Sequence, residues 1–216
     1  MSKLGREVLD NWNGRPENKM IFIPKMMKEW YKDGRLTPFT KKIYEKFGPE
    51  IFRRSTIPLC YGDLAIARYM KDKNINCALE IGTWNGLPSA CMAQYADKVI
   101  TIDIYDRPEK YDLWKWLGID DKIVFYLVRT EAEKEDLIKN IKFDFCLMDG
   151  AHNWYTYSDW MMVRKCGKVL FHEYWDKQKP VWDLVNSLPK NEVSLFDIEG
   201  ELDELKQKEF AYWEKK

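Results

Sequence analysis

Residues 76–106 read NCALEIGTWNGLPSACMAQYADKVITIDIYD, and this stretch decides the fold. It predicts an apolar strand, a glycine-cornered turn, a helix and a second apolar strand, at Ala78–Ile81, Gly82–Gly86, Leu87–Tyr95 and Val99–Ile102. The second strand ends in an acid, Asp103. This order of elements is a βαβ unit, whose ligand crevice lies beyond the carboxyl ends of its strands. We therefore expect the rest of the chain to complete or serve that crevice.

Strands and helices keep alternating after this unit. Further strands are predicted at Lys122–Val128, Phe143–Met148, Lys168–Phe171, Glu192–Asp197 and Glu209–Glu214, with helices at Glu131–Asn140, Tyr155–Lys165 and Val181–Leu188. Such alternation predicts an α/β fold with a mostly parallel, seven-stranded sheet and helices on both faces. The segment between the last two strands is too short for a crossover helix, so we expect the last strand to run antiparallel.

The first 60 residues differ from the rest because they are polar and rich in glycine and proline. Two short helices are predicted there, at Pro24–Lys32 and Pro38–Lys46, with Thr37 as the N-cap of the second. We interpret residues 1–60 as a small helical cap laid on a main domain of residues 61–216. In that domain, a helix at Gly62–Lys71 leads into the first strand.

Composition narrows the class of protein. The 35 basic and 35 acidic residues cancel, which argues against a protein that binds nucleic acid mainly through charge. No apolar run approaches the roughly 20 residues of a membrane span, and the amino terminus shows no secretory signal. The cysteines are odd in number and lack paired CxxC spacing, so we expect reduced thiols in a cytoplasmic protein; they are Cys60, Cys77, Cys91, Cys146 and Cys166.

The turn between the first strand and helix reads EIGTWNG, residues 80–86. A dinucleotide fingerprint needs a middle glycine so that the backbone can approach a pyrophosphate, and here Trp84 takes that place. Glu80 adds a carboxylate that would repel a pyrophosphate but attract an amino-bearing ligand. Asp103 lies where an acid binds ribose hydroxyls. The pattern favours a nucleoside ligand without a pyrophosphate, although packing explains Trp84 equally well.

This E-x-G-x-x-x-G turn with an acid ending strand two resembles that of the class I S-adenosylmethionine-dependent methyltransferases, which have a Rossmann-like fold. FDFCLMDGAH and CGKVLFHEY, which begin at Phe143 and Cys166, are similar to the family's fourth- and fifth-strand motifs. The resemblance covers about Gly62 to Lys216. It implies a cofactor site formed by residues after strands one to four, namely Glu80, Gly82, Thr83, Trp84, Gly86, Asp103, Ile104, Thr130 and Asp149.

The resemblance also assigns parts of the cofactor to some of these residues. Gly82, Thr83 and Gly86 would border the methionine part, Asp103 would hold the ribose, and Ile104 would lie against the adenine. The chain departs from the family after strand three. There it reads Arg-Thr-Glu at residues 129–131, where an acid or amide often meets the adenine amino group.

Both histidines, His152 and His172, follow predicted strands and have an acid nearby, Asp149 and Glu173 respectively. These positions share the sheet edge with the glycine turn, so they are candidates for proton transfer or metal binding. The segments are similar to those of the sugar and macrolide O-methyltransferases and the cephalosporin hydroxylase-like proteins. That subgroup implies Mg²⁺ on Asp149 and Glu173, although Tyr174 departs from the acid or amide sometimes found after the second of these. The layout makes His152, as proton acceptor, and Asp149 the catalytic candidates. A helix-start role for His152 and a packing role for His172 are equally open.

The favoured interpretation is methyl transfer from S-adenosylmethionine to a hydroxyl of a small polyhydroxylated molecule, such as a sugar or natural product, with Mg²⁺ assistance left open. Methylation of nucleic acid or protein is the alternative enzyme function, and a non-catalytic S-adenosylmethionine-binding protein is a third class. The acceptor would be a small molecule, no membrane partner is expected, and a homodimer is left open.

Overall fold

A computed structural model gives the fold and describes residues 28–47, 57–150, 153–174, 178–196 and 210–216. Seven strands form one sheet in the order β3-β2-β1-β4-β5-β7-β6. The strands are β1 (Ile75–Ile81), β2 (Ala96–Asp103), β3 (Ile123–Leu127), β4 (Phe145–Met148), β5 (Lys168–His172), β6 (Val193–Leu195) and β7 (Phe210–Glu214). The helices are α1 (Pro38–Phe47), α2 (Ile57–Met70), α3 (Leu87–Met92), α4 (Glu109–Leu117), α5 (Glu131–Asn140), α6 (Tyr155–Val163) and α7 (Lys179–Ser187).

The five strands from β3 to β5 are parallel, and β7 runs antiparallel between β5 and β6. The predicted fold class is therefore confirmed, including the reversed last strand. The polar segment before β7 lies partly at residues 197–209, outside the described residues.

Apolar side chains bury both faces of the sheet. On one face, residues of α1–α4 pack against the strands around Ala78, Val99 and Phe145. On the other face, residues of α5–α7 pack around Leu79, Ile100 and Cys146. Neighbouring residues of each central strand point to opposite faces, so both must be apolar when helices cover both sides. The result is the three-layer arrangement that the alternating elements predict.

Helix ends follow their local sequence closely. α5 has its predicted bounds because Thr130 accepts a hydrogen bond from the Glu133 amide while the Glu133 side chain accepts one from the Thr130 amide, a capping box. α4 ends at Gly118, which adopts the left-handed conformation. Several predicted helix bounds were wrong. α6 ends at Val163 and not at Lys165, and α7 spans Lys179–Ser187 and not Val181–Leu188. α2 begins at Ile57 and not at Gly62, because Pro58 occupies its first turn, where its missing N–H costs no hydrogen bond. α3 ends at Met92 and not at Tyr95, since the chain turns there to enter β2.

The described part of the N-terminal segment packs against α2, and Lys42 donates a hydrogen bond to the Leu117 carbonyl at the end of α4. Residues 28–32 are helical, and the start of the predicted Pro24–Lys32 helix lies outside the described residues. Trp30, Phe39 and Ile43 belong to the same core as α2. A buried polar contact adds to this packing, because the hydroxyls of Thr37 and Thr40 both donate to Asp63 of α2. The boundary between cap and main domain at residue 60 remains a prediction.

Candidate functional site

The candidate site lies beside β1, where successive strands stop joining the sheet on one side and start joining it on the other. β2 and β3 follow β1 on one side of it, whereas β4 and β5 lie on the other side. Ligands of open parallel sheets bind beyond the carboxyl ends of the strands at such a switch point. The residues that end β1, β2, β4 and β5 all face this edge, and they include the predicted Gly82, Asp103, Asp149 and His172. We call this region the crevice.

Gly82 and Gly86 form the corners of the glycine turn, and both have positive φ angles, 96° and 78°. A Cβ on Gly82 would overlap the backbone of Asp149 and Gly150. A Cβ on Gly86 would lie 2.7 Å from Trp114 Nε1, which donates a hydrogen bond to the Gly86 carbonyl at 2.8 Å. Both glycines are therefore required by close packing as well as by backbone conformation.

Asp103 holds the turn in place. Its Oδ2 accepts hydrogen bonds from the backbone amides of Thr83, at 2.9 Å, and Trp84, at 2.8 Å. Its Oδ1 accepts from the amide of Tyr105 at 3.0 Å. The acid at the end of β2 thus organises the backbone on both sides of the crevice, a role that the sequence alone did not indicate.

Trp84 has the left-handed backbone conformation, with φ of 47°, which is uncommon for a bulky residue. Its indole is 53% exposed. The guanidinium of Arg107 lies 3.7 Å from the centre of the indole ring. The side chain that replaces the middle glycine therefore points out of the core, and Arg107 covers one face of it. Trp84 therefore does not pack inside the core, which was one of its two interpretations.

Glu80 lies directly before the turn and is fully buried. Its Oε2 accepts hydrogen bonds from the hydroxyls of Ser89 and Thr101, the latter at 2.5 Å, and Thr101 in turn shares a hydrogen bond with the Thr83 hydroxyl at 2.6 Å. Its Oε1 has no hydrogen-bond partner within the described part of the chain. Burial raises the pKa of Glu80 from 4.5 to about 8, against the opposing effect of the two hydroxyl donors.

On the other side of the switch point, Asp149 pairs with His172. The Oδ1 of Asp149 contacts the Nδ1 of His172, and both side chains are mostly buried. Phe210 of β7 packs against the imidazole, with the ring centres 4.8 Å apart. Glu173, the next residue, has a positive φ of 56°, so the backbone turns sharply there. Because the Asp149 carboxylate contacts Nδ1, it fixes the orientation of the His172 ring and so of its second nitrogen, Nε2.

The other predicted site residues lie as follows. Ile104 is 57% exposed beside Asp103, so its side chain is accessible to a ligand. Thr130 uses its hydroxyl to cap α5. His152 lies outside the described residues. Within the part of the chain that the structure describes, no three His, Cys, Asp or Glu side chains are grouped so that they could hold a metal ion.

Sequence reasoning missed three partners of the predicted residues. The link between His172 and Asp149 follows from the register of β4 and β5, which pairs Met148 with Phe171, the residues before them. The contact of Arg107 with Trp84 joins two loops and leaves no local signal in the sequence.

Thr101, the third missed partner, lies in β2 among apolar neighbours. A buried threonine opposite a buried acid could have indicated this contact, because β1 and β2 pair Glu80 with Thr101.

Comparison with known proteins finds similarity in structure and not in sequence. No family model matches the sequence, and no curated protein matches it. Solved structures do match. A Staphylococcus aureus protein provisionally assigned as a caffeoyl-CoA O-methyltransferase is 14% identical, with a TM-score of 0.58 over 89% of this chain and 99% of that one. The O-methyltransferase from Bacillus cereus, in complex with SAH, is 13% identical, with a TM-score of 0.53 over 98% and 96%.

An rRNA methylase from Streptococcus thermophilus also matches, at 14% identity and a TM-score of 0.51, over 74% of this chain and 97% of that one. At these identities the matches establish a shared fold. That fold is the Rossmann-like, seven-stranded fold that the alternation of elements predicted. No helix within the described ranges is long and apolar enough to cross a bilayer.

Proposed function

We propose that this chain is an S-adenosylmethionine-dependent methyltransferase of class I. The observation that carries the proposal is the glycine turn at the switch point of the sheet, with Glu80 beneath it and Asp103 beside it. The fold shared with O-methyltransferases, one of them in complex with SAH, supports it. An α/β sheet of this strand order hosts other functions as well, so the residues of the site decide between them.

The residues of the turn fit a cofactor with an amino group and a ribose. The buried Oε1 of Glu80 lacks a partner among the described residues, and a water that links it to the amino group of the cofactor would supply one. Ile104 and Trp84, which both adjoin Asp103, present exposed apolar surface. In our proposal Asp103 holds the ribose, Ile104 lies against the adenine, and the glycines border the methionine part. Thr130 would lie near the adenine through its position at the start of α5.

Asp149 and His172 lie on the acceptor side of the crevice. When bound, S-adenosylmethionine supplies an electrophilic methyl group on sulfur, and the chain has to place an acceptor oxygen in line with it. The Asp149–His172 pair offers a fixed hydrogen-bonding group for this purpose. We propose that His152, which follows Asp149 by three residues, accepts the proton of the acceptor hydroxyl. Positioning is then the main contribution of the protein.

Magnesium assistance would require more donors than the described residues bring together. Asp149 and Glu173 are the carboxylates that would hold the ion, where it would lower the pKa of a chelated hydroxyl. Asp149 already pairs with His172, and no group of three donor residues exists within the described ranges. Magnesium prefers six oxygen ligands, several of them commonly water. We therefore derive no step that depends on the ion.

The proposed acceptor is a hydroxyl of a small polyhydroxylated molecule. Two observations support a small acceptor. The O-methyltransferases match 89% and 98% of this chain, whereas the rRNA methylase matches 74%. The chain also has no net charge with which to attract a phosphate backbone. Methylation of rRNA is the second candidate, favoured by the fold of the rRNA methylase.

Isothermal titration calorimetry with S-adenosylhomocysteine tests the cofactor. We expect micromolar binding by the wild type and at least about tenfold weaker binding by Asp103→Asn, since a charged acceptor for the ribose is lost. Asp121→Asn removes an exposed acid outside the crevice and is the matched control. The proposal fails if the wild type does not bind. Strong, salt-sensitive binding of RNA would favour the second candidate.

A further inference from the structure

A second concave region lies between the N-terminal segment and α2, with a cavity volume of about 550 Å³. We call it the cap cavity. One wall consists of Trp30 and residues 34–38, and the other is the face of α2 with Leu64, Ala67 and Arg68, continued by Lys71 directly after the helix. These four residues follow the helical spacing i, i+3, i+4 and i+7, so they form one continuous stripe. A volume of this size suits a small organic molecule.

The inner surface of the cap cavity is largely apolar and aromatic. Trp30 is almost completely buried, and the side chains of Leu36, Leu64, Tyr95 and Phe196 complete the surface. Aromatic rings of this kind bind flat or apolar ligand groups by dispersion and stacking. The cavity can therefore accept the apolar part of a ligand.

Three cations line the opening of the cap cavity, namely Arg35, Arg68 and Lys71, and no acidic side chain lines it within the described part of the chain. Arg35 lies 5.4 Å from the ring centre of Trp30 and pairs with the exposed Asp33 at 3.2 Å, which offsets part of its charge. Arg68 lies 5.7 Å from the ring centre of Phe196. Stacking on aromatic faces fixes both guanidinium groups beside the apolar surface.

The two walls of the cap cavity are joined rigidly beneath it. Thr37, which lines the cavity, donates its hydroxyl to the buried carboxyl of Asp63, and Thr40 does the same at 2.5 Å. Asp63 precedes Leu64 of the opposite wall in the chain. Burial raises the pKa of Asp63, against the effect of these donors. Because the walls are held together without a ligand, the cavity is already formed when a ligand arrives.

The cap cavity is distinct from the crevice. Lys71 precedes the amino end of β1, whereas the glycine turn follows its carboxyl end. The described residues that line the cap cavity include none of the glycine turn, and neither Asp103, Asp149 nor His172. A ligand in the cap cavity therefore does not reach the residues of the proposed cofactor site.

We propose that the cap cavity is a second ligand site, which takes a small amphipathic anion. An aromatic or short aliphatic group packs against the partly exposed Leu64 and Tyr95, and a carboxylate, phosphate or sulfonate group meets Arg68 and Lys71. Since the ligand contacts both the N-terminal segment and α2, its binding stabilises their association. This site is independent of the proposed methyl transfer.

Fluorescence titration with 8-anilinonaphthalene-1-sulfonate tests the site, using the full chain saturated with S-adenosylhomocysteine. N-phenyl-1-naphthylamine, the same aromatic system without the sulfonate, is the uncharged reference probe. We expect saturable binding of the anionic probe by the wild type. Arg68→Gln combined with Lys71→Gln weakens that binding about tenfold or more and leaves the uncharged probe little affected. Lys139→Gln combined with Lys179→Gln removes two exposed cations elsewhere and has no effect.

Ala67→Phe provides a second measurement, because it fills the cavity and keeps its charges. It is expected to weaken the binding of both probes, while thermal unfolding shows that the variant is folded. The proposal is overturned if the wild type shows no saturable binding, if the charge variants bind the anionic probe as the wild type does, or if S-adenosylhomocysteine displaces the probe. Binding of S-adenosylhomocysteine itself, measured separately, distinguishes failure of this site from failure of the proposed cofactor site.

Discussion

Glu80 gives a sharp prediction, because its carboxyl is buried in the hydrogen-bond network beneath the glycine turn. Its pKa is about 8 in the folded protein, against 4.5 for an ordinary glutamate. Between these values the folded state binds more protons than the unfolded state, so the free energy of unfolding falls as the pH rises. Between about pH 5.5 and about pH 7.5, integration over this one group gives a loss of about 2.5 kcal/mol. The side chain is fully buried, so solvent does not screen this effect.

The substitution Glu80→Gln removes the titration and keeps an oxygen that accepts from Ser89 and Thr101. Urea unfolding of wild type and variant at the two pH values measures the effect. Other acids titrate in both proteins, so the quantity to compare is the difference between their free energies of unfolding. We expect this difference to change by about 2.5 kcal/mol in favour of the variant at the higher pH. Glu135→Gln, at an exposed acid, is the control and should show no such change.

A difference that stays constant with pH would refute the reasoning. It would mean that the carboxyl of Glu80 ionises at its ordinary pKa inside the folded protein, which requires a compensating charge or water at Oε1.

Three further predictions concern the turn and the rim of the crevice. Gly82→Ala should destabilise the fold by more than about 3 kcal/mol in thermal unfolding, because its Cβ would overlap the Asp149 backbone. The control Gly118→Ala has open space around its Cβ and should cost only about 1–2 kcal/mol, because of its positive φ. Equal costs would show that the backbone near Asp149 yields. In steady-state assays with a hydroxyl acceptor that the protein methylates, His152→Ala should lower kcat about 10²-fold and His172→Ala only about tenfold. The reverse order would show that His172 accepts the proton of the acceptor hydroxyl. Turnover should survive chelation of divalent cations, and a loss that magnesium restores would show that an ion binds at the crevice.

Much of the fold could be predicted because it rests on local signals. The glycine turn, the capping residue Thr37 and the run of apolar strands each mark their element in the sequence itself. The distance of about 20 residues from Gly82 to Asp103 is that of one βα unit, so the acid could be placed beside the turn without a structure. The reversed β7 was predictable from the length of the segment before it. These features depend on the nearest elements only.

The contacts that complete the site depend on the folded sheet. Asp149 and His172 are 23 residues apart, and only the register of β4 with β5 brings them together. Arg107 meets Trp84 across two loops, and Thr37 meets Asp63 across 26 residues. None of these pairs has a periodic or capping signal. Side-chain partners at long sequence separation therefore had to come from the structure, even where each residue alone was a candidate.

Asp103 shows how the structure changes the meaning of a predicted residue. A carboxylate has about four acceptor positions, and the amides of Thr83, Trp84 and Tyr105 use three of them. One position is left for a ribose hydroxyl, so the same acid can shape the turn and bind the cofactor. Asp103→Ala would remove both functions together, which is why the calorimetric test uses Asp103→Asn. An asparagine oxygen still accepts from the amides of Thr83 and Trp84, whereas the negative charge, the hydrogen bond from Tyr105 and the remaining acceptor position are lost.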